Sequence, residues 1–122
     1  NVYIGTISLG ANPMHTIKTM LEAENHNGPS ILIAYAPCIA HGIKTGMKDS
    51  ISEEKLATAS GYFPLYRYNP ETKKFTLDSG ADFTKLDDIF QRENRYRGSK
   101  ELLEKNKQDI IEEYERLKET VN

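Results

Sequence analysis

The apolar residues are unevenly spread, gathering in short blocks that turn residues separate. Val2-Tyr3-Ile4-Gly5-Thr6-Ile7-Ser8-Leu9 is β-branched, aromatic and compact, which predicts a strand over residues 2–9. Gly10-Ala11-Asn12-Pro13 ends it. Asn12 can cap free amides and Pro13 suits a first helical position, so a helix over 13–25 should follow. Met14, Ile17, Met20 or Leu21, and Ala23 recur every three to four residues and predict its apolar face. Asn25-His26-Asn27-Gly28-Pro29 stops the helix. Ile31-Leu32-Ile33-Ala34-Tyr35-Ala36 is apolar on both faces, as a strand covered by helices above and below would be. Strand, helix and strand with short connections form a βαβ unit, so the two strands should run parallel with a right-handed crossover.

The pattern then loosens. Ser50 and Glu53 have the spacing of a capping box before a helix to about Ser60, with Ile51, Leu56 and Ala57 inward and Gly61 as its stop. Residues 65–68 predict a short strand. Asn69-Pro70-Glu71-Thr72 is turn chemistry, and the alternation in Lys74-Phe75-Thr76-Leu77-Asp78 predicts a hairpin partner or an exposed edge. Leu86, Ile89 and Phe90 mark a short helix near 84–93. Ser99 can cap a last helix to about Val121, with Leu103, Ile110, Tyr114, Leu117 and Val121 as its stripe. That stripe covers fewer than three heptads, so packing onto its own domain is expected rather than a coiled coil.

Composition narrows the class. The 122 residues suffice for one domain with a real core. The hydrophobic share, 38%, is low for a free-standing domain, and residues 97–122 are mostly charged or amide side chains. A net charge of -2 supplies no field for nucleic acid or an anionic membrane. No apolar run approaches the roughly 18 residues of a membrane span. The start lacks both a signal-peptide pattern and an initiator methionine and opens almost inside a strand, so we expect a segment of a longer chain. A single cysteine and no signal favour the cytoplasm.

That cysteine, Cys38, follows the second strand, on the side of an open α/β sheet where ligands bind. It has no cysteine partner in the chain. Cys38 and His41 could meet on a helical turn as a nucleophile pair, although no third orienting residue stands at a recognisable spacing. A buried inert thiol and ligation of a metal or cluster completed from elsewhere are the other readings. His15 and His26 read as solvated histidines. Gly5, Gly10 and Gly42 match no phosphate-binding pattern. Glu112, Glu113, Glu115 and Glu119 read as a solvated helix face. Tyr62, Phe63, Tyr66 and Tyr68 lack an accompanying basic groove and read as core or inter-domain packing.

Several ordered runs carry a resemblance: residues 2–12, then Glu22-Ala23-Glu24, Gly28-Pro29-Ser30, Ala34-Tyr35-Ala36-Pro37-Cys38-Ile39-Ala40-His41-Gly42 and Ser60-Gly61-Tyr62-Phe63-Pro64-Leu65-Tyr66-Arg67-Tyr68-Asn69-Pro70. Together they resemble the carboxyl-terminal part of pyruvate:ferredoxin (flavodoxin) oxidoreductase. The resemblance implies an α/β fold, a partial thiamine pyrophosphate-binding domain with a doubly wound, mainly parallel sheet. Residues 1–70 would form its later half and residues 71–122 a tail of a short strand or hairpin, then helices. From Asp78 onward the likeness is only in helical, polar character.

The family's enzyme converts pyruvate and coenzyme A to acetyl-CoA and carbon dioxide, and 4Fe–4S clusters pass electrons to ferredoxin or flavodoxin. The resemblance implies that Cys38 ligates the cluster nearest the thiamine, with three partners upstream; thiolate suits that task. His41 sits beside the ligand and is given no role. The family's magnesium–thiamine motif, from Gly-Asp-Gly to an Asn, is absent from these residues. The parent would then hold thiamine pyrophosphate, Mg2+ and clusters, be a cytoplasmic homodimer without nucleic-acid or membrane partners, and use the remaining domains to complete its site. The segment alone is expected to bind none of these cofactors and to be inactive. The other reading is a non-catalytic inter-domain interaction module. The sequence leaves open the acceptor, the direction of flux and the 2-oxo acid.

Overall fold

The computed structural model describes residues 1–36, 50–92 and 100–121. Four strands form one sheet: β1 (Tyr3–Ile7), β2 (Ser30–Ala34), β3 (Tyr66–Asn69) and β4 (Lys74–Leu77), in the order β2-β1-β3-β4. The described helices are α1 (Pro13–Asn25), α2 (Ser50–Ala59), α3 (Leu86–Arg92) and α4 (Lys100–Thr120), with a 3-10 turn at Phe83–Lys85 before α3.

The βαβ unit is as the sequence predicts. β1 and β2 are adjacent and parallel, with Tyr3 opposite Ser30 and Ile7 opposite Ala34, and α1 connects them. The Asn12 side chain accepts from the His15 amide at 3.0 Å, and Pro13 occupies the first turn. The rest of the sheet departs from the mainly parallel expectation. β3 runs antiparallel to β1, and β4 antiparallel to β3, so the sheet is mixed. The Asn69-Pro70 turn leaves no room between β3 and β4 for the long crossover that parallel neighbours need. Thr6 joins β1 to the hairpin: its hydroxyl donates to the Pro64 carbonyl and accepts from the Tyr66 amide, at 2.7 and 2.9 Å.

Two expectations about the apolar faces are reversed. β2, expected to be covered by helices above and below, is at the edge of the described sheet, and its Ile31 and Ile33 are 53% and 48% exposed. Helix α1 turns His15, Thr16, Thr19 and Ala23 toward the sheet and leaves Met14, Ile17, Met20 and Leu21 exposed. Its packed face is mostly small and polar because it must fit above Gly5 and beside partly buried charges. A Cβ on Gly5 would lie 2.8 Å from Thr19 Cγ2, so the helix rides close on the strand.

A second core gathers under the other helices. Ala57, Leu86, Ile89 and Phe90 are fully buried together, with Tyr35, Leu56, Leu103 and Ile110 packed around them. In α2, Ala57 points inward as expected and Leu56 packs beside it, whereas Ile51 is exposed and Glu53 takes a buried position. Gly61 ends α2 at φ +87°, a conformation that L side chains rarely adopt. Helix α4 lies on this core through Tyr114, whose hydroxyl donates to the Ser79 carbonyl at 2.6 Å and whose ring meets Phe83 edge-on. Glu112, Glu113, Glu115 and Glu119 are exposed, as expected of a solvated face.

Candidate functional site

The parallel pair directs two features to one edge of the sheet. The first is the end of β1. Ser8 accepts from the Ala11 and Asn12 amides at 3.2 and 2.9 Å, which folds residues 8–12 into a tight turn leading to α1. Side chains alternate across a strand, so Gly5 lies under α1 while Thr6 and Ser8 face the opposite side. There the Ser8 hydroxyl donates to Glu54 Oε1 of α2 at 3.4 Å. Helices α1 and α2 therefore flank β1's carboxyl end on opposite faces. Between them lies a crevice of about 620 Å³, lined by Leu9, Gly10, Ala11, Pro13, Ile51, Glu54 and Lys55. Openings of this kind at the ends of parallel strands are where open α/β sheets take ligands. The rim is mostly apolar, with one carboxylate and one ammonium group. It can cover an organic group and hold a charge, but it presents no nucleophile paired with a base.

The second feature is the end of β2. The Tyr35 amide donates to the Ile7 carbonyl at 3.0 Å, so the chain leaves β2 on the same sheet edge as the crevice. Tyr35 packs at 5.2 Å against Phe63 and edge-on at 6.5 Å against Tyr62. Those aromatic residues, read from the sequence as packing residues, thus anchor the root of the segment that leads to Cys38. Cys38, His41 and Gly42 themselves lie outside the described residues. Among the described residues, no three His, Cys, Asp or Glu side chains come together to hold a metal ion. The chain contains one cysteine, so it can offer at most one thiolate to a four-iron cluster.

The two described histidines are not solvated, contrary to expectation. His15 is buried and its Nε2–H donates to Asp78 Oδ2 at 2.8 Å. Asp78 also receives Arg67 Nε at 2.8 Å and Nη2 at 3.0 Å. Arg67 Nη1 reaches Glu22 Oε2 at 2.7 Å, and the Tyr3 hydroxyl donates to Glu22 Oε1 at 2.9 Å. This partly buried chain of charges stitches β1, α1, β3 and the end of β4 together. Burial pushes the Asp78 carboxyl up, but the hydrogen bonds and charges of Arg67 and His15 outweigh it and hold it below the usual carboxylate range. The hydrogen bond to Asp78 heads the causes that raise Arg67 above its ordinary value. Burial, then Glu22, raises the Tyr3 phenol. His26 is buried against the Tyr3 ring and bonds through Nε2–H to the Asn1 carbonyl at 3.1 Å. Tyr3, Glu22, Arg67, Asp78 and His15 meet one another side chain to side chain and His26 meets a main-chain carbonyl, so the work of the set is to join elements. Local sequence could not reveal it, because His15 and Asp78 are 63 positions apart.

No protein-family profile matches the chain. Among curated proteins it is 42% identical over 101 residues, 79% of its length, to the mitochondrial NADP(+) pyruvate dehydrogenase of Euglena gracilis. It is 42% identical over 100 residues to the pyruvate:ferredoxin oxidoreductase of Moorella thermoacetica, and 41% over 101 residues to a pyruvate-flavodoxin oxidoreductase of Klebsiella pneumoniae. The matches cover 78% and 79% of the chain. The chain spans only 6%, 8% and 9% of the lengths of these three relatives.

Proposed function

This chain is homologous to one segment of the pyruvate:ferredoxin and pyruvate-flavodoxin oxidoreductases, and on that premise we propose that it works as part of an enzyme that oxidises pyruvate. The observation that carries the reading is the agreement among relatives whose names differ. One is named for NADP(+), one for ferredoxin and one for flavodoxin, yet the segment is 41–42% identical to each, and all three are named for pyruvate. A segment held in common by all three serves the step they share rather than the choice of acceptor.

In this reading the parent enzyme turns pyruvate and coenzyme A into acetyl-CoA and carbon dioxide. Residues 1–70 belong to its thiamine pyrophosphate-binding domain and residues 71–122 form a tail. The chain's contribution is positional. The parallel β1–β2 pair aims the end of β2 at the crevice edge, and the Tyr35–Phe63–Tyr62 contacts fix where the segment carrying Cys38 departs. Cys38 supplies one thiolate of a 4Fe–4S cluster, and other parts of the enzyme supply the remaining ligands, the thiamine and the Mg2+. The cluster, when bound, supplies one-electron transfer; the protein supplies its position and burial. Electrons leave to ferredoxin or flavodoxin.

The test is to express the polypeptide at its full encoded length beside the 122-residue chain, and to follow pyruvate- and coenzyme A-dependent reduction of ferredoxin and flavodoxin. The full-length protein should reduce an acceptor, and the chain alone should not. Absence of pyruvate-dependent reduction by full-length protein loaded with thiamine, magnesium and iron would overturn the reading in favour of an interaction module.

A further inference from the structure

The β3–β4 hairpin has one aromatic face and one polar face, because side chains alternate along a strand. Tyr66 and Phe75 stack at 5.3 Å on the first. Arg67 and Asn69 of β3, opposite Thr76 and Lys74 of β4, take the second. Helix α1 links β1 to β2 and lies over those strands, so it meets the hairpin only at its flank, through Glu22 and Arg67. Between helix and hairpin remains a cleft of about 430 Å³, lined by Glu22, Arg67, Asn69, Thr72, Lys74 and Thr76. That volume is in the range of small-molecule sites, and every residue lining it is polar or charged.

The cleft offers more donors than acceptors. A guanidinium has five N–H groups; Arg67 spends two on Asp78 and one on Glu22, which leaves two. Lys74 brings an ammonium group with no partner among the described residues. The Asn69 side-chain oxygen already accepts from the Glu71 amide at 2.9 Å, so its NH2 group is the part left to offer. Thr76 adds a hydroxyl. Both oxygens of Glu22 already receive a donor, from Tyr3 and from Arg67. The lining thus sets one carboxylate against two cations, and Asp78 stands outside it. We propose that this cleft binds the oxyanion group, phosphate or carboxylate, of a small polar ligand. Lys74, Thr76, the Asn69 NH2 group and the two unspent Arg67 N–H groups are its donors. Asp78 already fixes the guanidinium plane, so charge-assisted bonds from Arg67 need little further ordering. Glu22 repels an anion from the helix side and directs it toward Lys74 and Thr76. Neither Cys38 nor the crevice at the end of β1 takes part.

The test uses the polypeptide of full encoded length, with inorganic phosphate and acetate as probes and chloride at equal ionic strength as the reference. The readout is acylation of Lys74 by a water-soluble amine-reactive ester, followed by peptide mass spectrometry. Phosphate or acetate should slow acylation of Lys74 to a plateau and leave its neighbour Lys73, which does not line the cleft, at an unchanged rate. Protection by phosphate alone assigns a phosphate group, and protection by acetate assigns a carboxylate. Thr76→Val suits a strand, keeps Lys74 as the probe and removes the hydroxyl. It should raise the anion concentration for half-protection about tenfold, the value of one charge-assisted hydrogen bond. Equal slowing by chloride would reduce the effect to screening and overturn the site. So would protection that Thr76→Val leaves unchanged, or a Lys74 that is shielded before any anion is added.

Discussion

Arg67 grips Asp78 with two parallel bonds, Nε to Oδ2 at 2.8 Å and Nη2 to Oδ1 at 3.0 Å, from adjacent strands of the hairpin. Both side chains are largely out of water, and the same guanidinium continues to Glu22 on α1. Truncating one partner of such a pair leaves the other charge buried and unmatched, at a cost of about 3 kcal/mol. Asp78→Asn should therefore lower stability by about that amount in urea unfolding near neutral pH.

The same pair sets an acid dependence. Asp78 is held below its ordinary value in the folded state, so the unfolded chain binds its proton first as pH falls. Its stabilisation is fully present above the unfolded carboxylate value of about 4 and disappears as pH drops through the lower folded value. Wild-type protein should lose stability in that acid window, and Asp78→Asn should lose less over the same interval. Equal slopes for the two proteins would show that the Asp78 proton is not linked to folding.

Gly5 tests the closeness of α1 and β1. An added Cβ would meet Thr19 Cγ2 at 2.8 Å and Leu32 Cδ2 at 3.2 Å. Gly5→Ala should cost about 1–3 kcal/mol by overpacking. Thr19→Ser removes the nearer methyl, so the double variant should recover part of the loss. Additive effects in that double-mutant cycle would mean that the two residues do not touch.

Gly61 carries two separate constraints. Its φ of +87° strains any L side chain, and a Cβ there would approach Ala81 Cβ at 2.8 Å and Phe83 Cε1 at 3.0 Å. Gly61→Ala should be destabilising by at least about 1 kcal/mol. Ala81→Gly should relieve the contact and not the backbone strain, so thermal melts should show partial rescue. Full rescue would assign the whole cost to crowding.

The βαβ unit was legible because it is written locally: Asn12-Pro13 starts α1, Gly28-Pro29 precedes β2, and the apolar runs between have the right lengths. The β3–β4 hairpin and the Gly61 stop were legible for the same reason. The direction of the hairpin against β1 was not, since it depends on Thr6 bridging to Pro64 and Tyr66, about 60 positions away. Nor was the orientation of α1. Periodicity locates the stripe of Met14, Ile17 and Leu21, but the buried face is chosen by Gly5, Asp78 and Tyr3, which meet α1 from the sheet side. The histidines were misjudged because their partners are distant in sequence. At the candidate site, the solitary Cys38 stands out in the sequence, whereas the Ser8–Glu54 contact and the crevice around it exist only once α1 and α2 take opposite faces.

Under the proposed function, Cys38 supplies a cluster ligand to an enzyme that oxidises pyruvate. The most direct measurement compares wild type and Cys38→Ser at full encoded length, by iron content and by paramagnetic resonance of each cluster. Serine offers a harder and less readily ionised ligand than the thiolate these clusters select. The variant should lose the signal of one cluster, the one nearest the thiamine, and keep the others. Thiamine binding should persist while reduction of the acceptor falls sharply. A full set of cluster signals with undiminished acceptor reduction in Cys38→Ser would contradict the claim and leave Cys38 an ordinary packed thiol.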